Sequence, residues 1–237
     1  VANFALGNNS VLFDFDNAPL STPLPMDLTV GGFSAHFSAT GQGYSIQLVG
    51  TLGIAPPGFS GRCIFPSSVY AADLLVDFVQ TLTDFSIMFS PQELGCDSSA
   101  TMRVTAYMNG TFVGTNTAVA FPPGTWPSGT LSISVPQGFN SVVVHWDSRP
   151  PTCQDYGPIF LADNMIVTRL AVPQTPGDLN CDSLVTFDDI NPFVLALSSP
   201  AAYQAAFPNC NILNGDCNGD GLVDFNDINA FITLLSH

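Results

Sequence analysis

The segment Gly177–Leu197 recurs without a gap as Gly215–Leu235, 38 residues further on, and more than half of its positions are identical. A unit this short cannot bury a core alone, so the two copies must pack against each other as one module. Each copy opens with oxygen-bearing side chains at positions one, three, five, nine and twelve of a twelve-residue loop. These are Asp178, Asn180, Asp182, Thr186 and Asp189, then Asp216, Asn218, Asp220, Asp224 and Asp227. Adding the main-chain carbonyls of Leu184 and Leu222 at position seven, the spacing wraps hard oxygen ligands around Ca²⁺. Two calcium sites are expected. Ser183 and the neutral Thr186 stand where the second loop has Gly221 and Asp224, so the first loop should bind more weakly.

Each loop leads into an apolar stripe of helical period: Ile190, Phe193, Val194 and Leu197, then Ile228, Phe231, Ile232 and Leu235. The two stripes are expected to face each other, with metal binding contributing directly to folding. Loop plus helix, repeated, without the entering helix of an ordinary EF-hand, resembles a dockerin over about the last 60 residues. The resemblance implies a protein-binding module, since dockerins dock on β-sandwich cohesins through helix residues near the ends of the calcium loops. Loop positions ten and eleven are Phe187 and Asp188 in one copy and Phe225 and Asn226 in the other. These depart from the small hydroxyl or basic residues of cellulosomal dockerins and make a cellulosomal cohesin a poor fit.

Upstream, short alternating runs separated by Gly, Pro, Asn and Ser predict a mainly β, antiparallel jelly-roll-like sandwich over residues 1–170. The predicted strands are Val11–Asp16, Gly32–Ser38, Ser45–Val49, Leu74–Thr81, Phe85–Phe89, Met102–Met108, Thr111–Ala118, Leu131–Val135, Ser141–Trp146 and Ile159–Thr168. Asn109-Gly110 marks a tight hairpin that turns Met102, Val104 and Ala106 toward the core. Residues 171–176 form a proline-bearing linker, and 177–237 form the small α-helical dockerin-like module. An early Phe-Asp strand and a late Ala-Asp-Asn-Met-Ile-Val strand resemble the carbohydrate-binding jelly rolls of secreted bacterial proteins. Asp14, Asp16 and Asp163, on the first and last strands, are candidates for a third calcium site.

A formal net charge of −15, with four arginines and no lysine, disfavours nucleic acid and anionic membranes as partners. No apolar run is long enough to span a bilayer. Six cysteines, Cys63, Cys96, Cys153, Cys181, Cys210 and Cys217, point to an oxidising compartment, and a first residue other than Met fits a chain whose signal peptide has been removed. Cys181–Cys210 is the favoured staple of the module and Cys210–Cys217 the alternative.

No HExxH, GxSxG or P-loop is present, Glu93 is the sole glutamate, and His145 falls on an alternating strand where a half-buried structural role is expected. The chain therefore reads as a non-enzyme. Trp126, Tyr156, Trp146 and Tyr44 are the aromatics available for a sugar platform, with Trp126 and Tyr156 favoured because they fall in loops. The resulting expectation is a secreted, calcium-binding structural protein. Its dockerin-like module would mediate assembly, head to tail with other copies into an extracellular fibre or matrix. The alternatives are a carbohydrate-binding or adhesive surface protein, or docking to a separate cohesin-like scaffold.

Overall fold

A computed structural model describes residues 9–41, 43–66, 72–91, 101–121, 126–147, 160–170 and 175–236. The chain divides into two compact units, Val1–Leu170 and Ala171–His237.

The first unit is an antiparallel β-sandwich of ten strands: β1 (Ser10–Phe13), β2 (Met26–Val30), β3 (Phe33–Ala39), β4 (Tyr44–Leu48), β5 (Arg62–Pro66), β6 (Leu74–Pro91), β7 (Thr101–Met108), β8 (Thr111–Val119), β9 (Gly129–Trp146) and β10 (Phe160–Arg169). The layers are joined by β6 and β9, which serve in both. The first part of β6, around Leu74–Asp77, pairs with β3 on one side and with Ser141–Val144 of β9 on the other. Its second part, Phe85–Phe89, lies between β10 and Gly129–Ile133 of β9.

Between the two parts the register slips at Leu82, and the buried side chains change parity, from Leu74, Val76 and Phe78 to Phe85, Ile87 and Phe89. In β9 the same change separates Leu131, Ile133 and Val135 from Val142, Val144 and Trp146. Strands that turn the corner between packed sheets do so through such irregularities. At the corner of β9, Gly138 has φ +90°, and a Cβ there would stand 2.5 Å from Cγ2 of Thr81.

Alternation is a two-residue signal, so a change of parity reads as a strand end. That is why the sequence divides β6 into Leu74–Thr81 and Phe85–Phe89, and β9 into Leu131–Val135 and Ser141–Trp146. The sequence reading also lacks β2 and β5, and it runs β1 on to Asp16, where the chain leaves the sheet after Phe13 and Phe15 adopts φ 59°. The Asn109-Gly110 turn has φ of 50° and 79°, and it delivers Met102, Val104 and Ala106 fully buried to the core. The core is dominated by phenylalanine, with Phe13, Phe15, Phe37, Phe85, Phe89, Phe139 and Phe160 out of contact with solvent.

In the second unit a 3-10 turn, Phe187–Asp189, runs into α1 (Ile190–Ser198), α2 (Pro200–Ala206) follows, and a second 3-10 turn, Phe225–Asp227, runs into α3 (Ile228–Leu235). The turns leading into α1 and α3 each carry a reciprocal capping box, Thr186 with Asp189 and Asp224 with Asp227, which satisfies backbone N–H groups left over at a helix start. The core is Leu179, Phe193, Ala196, Tyr203, Cys210 and Phe231. Residues between the repeats supply α2, which the sequence reading lacks, and its Tyr203 donates a 2.8 Å hydrogen bond to the Leu179 carbonyl. A Cys181–Cys210 disulfide, Cα atoms 5.7 Å apart, ties the first loop to this insert and leaves Cys217 free. No helix among the described residues is long and apolar enough to cross a membrane.

Candidate metal centre and docking face

Both loops are folded around their own carboxylates. In the second, Asp216 accepts the N–H groups of Gly219, Asp220 and Gly221 at 2.8–3.0 Å. Asp227 accepts those of Cys217 and Asn218 on Oδ1 and of Asp224 on Oδ2. The first loop repeats the closing pattern, Asp189 taking Leu179 and Asn180 on Oδ1 and Thr186 on Oδ2. Asp189 and Asp227 are fully buried. One oxygen of each thus has both lone pairs engaged, and the other retains one lone pair for a further partner.

At the mouth of the loops, Asp182 accepts from Leu184 and from the Asn180 amide, and Asp220 repeats this with Leu222 and Asn218. The oxygens of Asn180 and Asn218 accept from the N–H groups of Asp182 and Asp220. Thr186 and Asp224 double as helix N-caps, accepting from Asp188 and Asn226.

The loops differ at the first carboxylate. Asp178 is buried and accepts the Ser183 N–H at 3.0 Å on Oδ2. Its Oδ1 has no hydrogen-bond partner. Burial, with Asp189 and Asp182 nearby, pushes its pKa up against the opposing N–H groups of Ser183 and Cys181. An unpaired buried carboxylate oxygen is costly, and a cation relieves that cost and the carboxylate repulsion together. The donors are all oxygen, which selects a hard cation such as Ca²⁺ over zinc or copper. Among the described residues no three carboxylate, imidazole or thiol groups converge tightly enough to hold a metal alone. A cation in either loop would therefore also need an amide oxygen and the Leu184 or Leu222 carbonyl.

Positions four and six of both loops require positive φ. In the second loop these are Gly219 (78°) and Gly221 (88°), which adopt it freely; in the first they are Cys181 (58°) and Ser183 (74°). Side chains in this region carry strain. The disulfide holds Cys181 in place, and Asn214, buried behind it, bonds the Asp178 carbonyl and the Thr175 N–H. Asn214 lies outside the repeat and escapes a search based on ligand spacing.

The helices do not cover each other completely. Phe193 and Phe231 meet, but Val194 and Ile232 remain more than half exposed. The stripes are wider than one neighbour can bury. They line an open apolar groove of ≈ 360 Å³. Phe187 and Phe225, the position-ten residues, are each 74% exposed, with Phe225 on the groove wall.

The other sequence candidates fare differently. Asp163 is buried and accepts from Asn164 at 2.7 Å and from Ser60 at 3.4 Å. Burial first, then Asp16 and Asp14, push its pKa up to about 7 against those two N–H groups. Asp16 accepts the Arg62 N–H and Asp14 the Asp16 N–H. The three carboxylates are neighbours, each turned to a backbone donor.

Trp126 is half-buried against Val49, Phe59, Cys63 and Leu161, while Tyr44 and Trp146 are core residues and leave no platform there. His145 is exposed, not half-buried, and pairs with Asp73 at 2.6 Å because its strand turns that face outward. Glu93, Cys96, Cys153, Tyr156 and residues 171–174 lie outside the described residues.

No protein-family model matches the chain, and no curated protein matches it. Among solved structures it is similar to the K2 cleaved adhesin domain of Lys-gingipain, at 14% identity over 67% of this chain and 99% of that one, with a TM-score of 0.41. It is similar to the K1 cleaved adhesin domain of Lys-gingipain from Porphyromonas gingivalis W83, at 16% identity over 68% and 98%, TM-score 0.40. A third is the CBM35 from Cellvibrio japonicus Abf62, at 13% identity over 67% and 92%, TM-score 0.34. Likenesses of this size carry no argument about activity, and the sandwich is assigned on its own strand pairing.

Proposed function

We propose that this chain is a secreted, non-enzymatic structural protein whose C-terminal module, braced by two calcium ions, docks onto a protein partner through its apolar helical face. The observation that carries the reading is the pair Phe187 and Phe225. They are equivalent in the two repeats and each 74% exposed, and Phe225 lies on the wall of an apolar groove. A large exposed aromatic beside an apolar groove is what a docking surface presents and what a solvated face avoids. The loops abut that face, since each position-ten phenylalanine lies two residues before the closing aspartate. Calcium would act by holding the loops and hence the helix starts, with Asp178, Asn180, Asp182 and Thr186, and their counterparts Asp216, Asn218, Asp220 and Asp224, as ligands. The Cys181–Cys210 disulfide fits an extracellular setting.

The favoured partner is another copy. The chain carries a β-sandwich and a docking module, and a head-to-tail contact that does not close on itself builds a fibre. Sedimentation velocity and electron microscopy of the full chain with calcium and with chelator test this. Assemblies should form with calcium and disappear in chelator and in Phe187→Ser/Phe225→Ser. A monomer under every condition rejects self-assembly and leaves docking to a separate cohesin-like protein.

A second reading, polysaccharide binding, is favoured by a trough of ≈ 340 Å³ on the sandwich, in which Asp84, Ser86, Asn116, Ser132, Ser134 and Thr168 stand beside the apolar Phe85, Ile133 and Ile166. Retardation in polysaccharide-containing gels, lost in Asn116→Ala, would support it.

A further inference from the structure

Eight of the 19 acidic residues and none of the four arginines fall in residues 171–237, so both sides of a head-to-tail contact are acidic. Such bodies repel unless a cation stands between them. The first calcium loop differs from the second in a way that suits this. Its position-nine residue, Thr186, accepts the Asp188 N–H and the N–H of the third helical residue, so both lone pairs of the hydroxyl are spent on the helix start. Thr186 can therefore serve a cation only through a water, to which its O–H donates. Asp224 caps its helix in the same way, but a carboxylate has about four lone pairs and keeps one to spare. The first loop thus has three carboxylates, Asp178, Asp182 and Asp189, where the second has Asp216, Asp220, Asp224 and Asp227. Asp178 Oδ1, buried and without a partner, marks it as a cation site all the same. Beside the missing ligand, Leu184 and Phe187 are each more than half exposed.

On the sandwich, the outward side chains of the first part of β6 share a face with those of β2, β3, β7 and the second part of β9. Four carboxylates lie on it. Asp27 pairs with His36 at 2.7 Å, Asp73 with His145 at 2.6 Å and Asp147 with Arg103 at 2.6 Å. Among the described residues no side-chain hydrogen bond or ion pair reaches the fourth, Asp77, which is exposed. The ladder sets His36 and Ser141 beside it, and His36 is turned to Asp27. Leu75 and Val79 flank Asp77 along the strand on the same face, with Val79 more than half exposed. Beyond Ser141 in the same row come Tyr107 and Phe112, packed edge to face. One unpaired carboxylate therefore stands among apolar side chains.

We infer that Asp77 of a second copy completes the first calcium loop, its carboxylate taking the place of the water at position nine and accepting from the Thr186 O–H. This rests on the calcium-dependent head-to-tail docking proposed above and names the sandwich face that receives the module. The two surfaces are complementary in charge and in apolar surround: a cation site beside Leu184 and Phe187 meets a carboxylate beside Leu75 and Val79. A fourth carboxylate from outside gives the first loop the number that the second has from within. Without the cation, Asp77 faces the loop's own aspartates and is repelled, so the contact exists only with calcium. Both halves of the pair are on the same chain, which is what a heterologous contact between copies requires.

The test is sedimentation velocity together with calcium titration on the full chain. In wild type the weaker calcium site should tighten about tenfold as protein concentration rises and assemblies form, since calcium and partner then bind cooperatively. Asp77→Asn should remove the assemblies and this concentration dependence, and leave both calcium affinities of dilute protein unchanged. Thr186→Asp supplies the missing carboxylate from within, so it should tighten the weaker site in dilute protein and weaken assembly. That variant keeps the proposal testable even if Asp77→Asn misfolds. Wild-type assembly that Asp77→Asn leaves intact overturns the inference while docking through the helical face stands. A wild type that stays monomeric in calcium overturns self-assembly and the inference with it. Assembly with a weaker site whose affinity is the same at every protein concentration also overturns the inference.

Discussion

Phe193 of α1 and Phe231 of α3 stack face to face, ring centroids 4.2 Å apart and planes 22° from parallel. They occupy the same position in the two repeats, so the duplication closes on a contact between equivalent residues. Tyr203 of the insert belongs to the same buried core and is itself fully buried, while both rings also line the apolar groove.

Phe193→Ala and Phe231→Ala should therefore cost nearly the same. Each should destabilise the module by about 3–5 kcal/mol, as large-to-small changes in a packed core do. The double variant should cost less than the sum, with a coupling of roughly 0.5–1.5 kcal/mol from the stacked pair. Urea denaturation followed by helical circular dichroism measures all three. Strict additivity would mean that the rings contribute through burial alone.

Calcium should distinguish the loops. Four aspartates at ligand positions and two glycines at the positive-φ positions should make the second loop the tighter site; the first has three aspartates at ligand positions and strained Cys181 and Ser183. Titration calorimetry on Asp182→Ala should retain the tight site, and on Asp220→Ala the weak one. Equal residual affinities would sink the ranking. Ser183→Gly removes about 1 kcal/mol of strain and should tighten the first site about fivefold.

Reduction of Cys181–Cys210 should destabilise the module by roughly 3–4 kcal/mol, the loop-closure value for a sequence separation of 29. The loss should exceed this in chelator if the disulfide also holds Cys181 at positive φ for the metal. Thermal melts of Cys181→Ser/Cys210→Ser with and without calcium check it.

What could be read from the sequence was local. The Asn109-Gly110 turn spans two residues and each repeated acidic loop twelve, so the β7–β8 hairpin and the two loop-helix units announce themselves, whereas the capping boxes that start the helices were not read. What could not be read depends on distant neighbours. Strands β6 and β9 look like four strands because their inward parity changes where they pass between layers. Trp146 reads as available and is buried because β7 pairs beside it, while His145, one residue earlier, points out to Asp73. The helix stripes look like a closed interface, but which of their residues stay exposed is decided by the angle at which the helices meet, and Val194 and Ile232 remain open.

Asp163 makes the stability of the sandwich depend on pH with a sign opposite to that of an ordinary paired carboxylate. Burial, with Asp16 and Asp14 adding to it, lifts its pKa from 3.8 to about 7, while the unfolded chain titrates near the ordinary value. Between those values the folded state holds the proton more tightly, so stability is greatest below about pH 4, falls as pH rises toward 7, and levels off above. The full difference is roughly 4 kcal/mol at most by linkage. In chelator, Asp163→Asn should flatten this profile and melt higher than wild type at pH 8, because the amide keeps an acceptor for the Asn164 N–H without the buried charge. A cation held by Asp14, Asp16 and Asp163 would reverse the ranking. Calcium added at pH 8 would then stabilise wild type and leave Asp163→Asn unchanged, which makes the same pair of melts the test of a third site. If neither difference appears, Asp163 is solvated well enough to ionise normally, and burial is not what governs its titration.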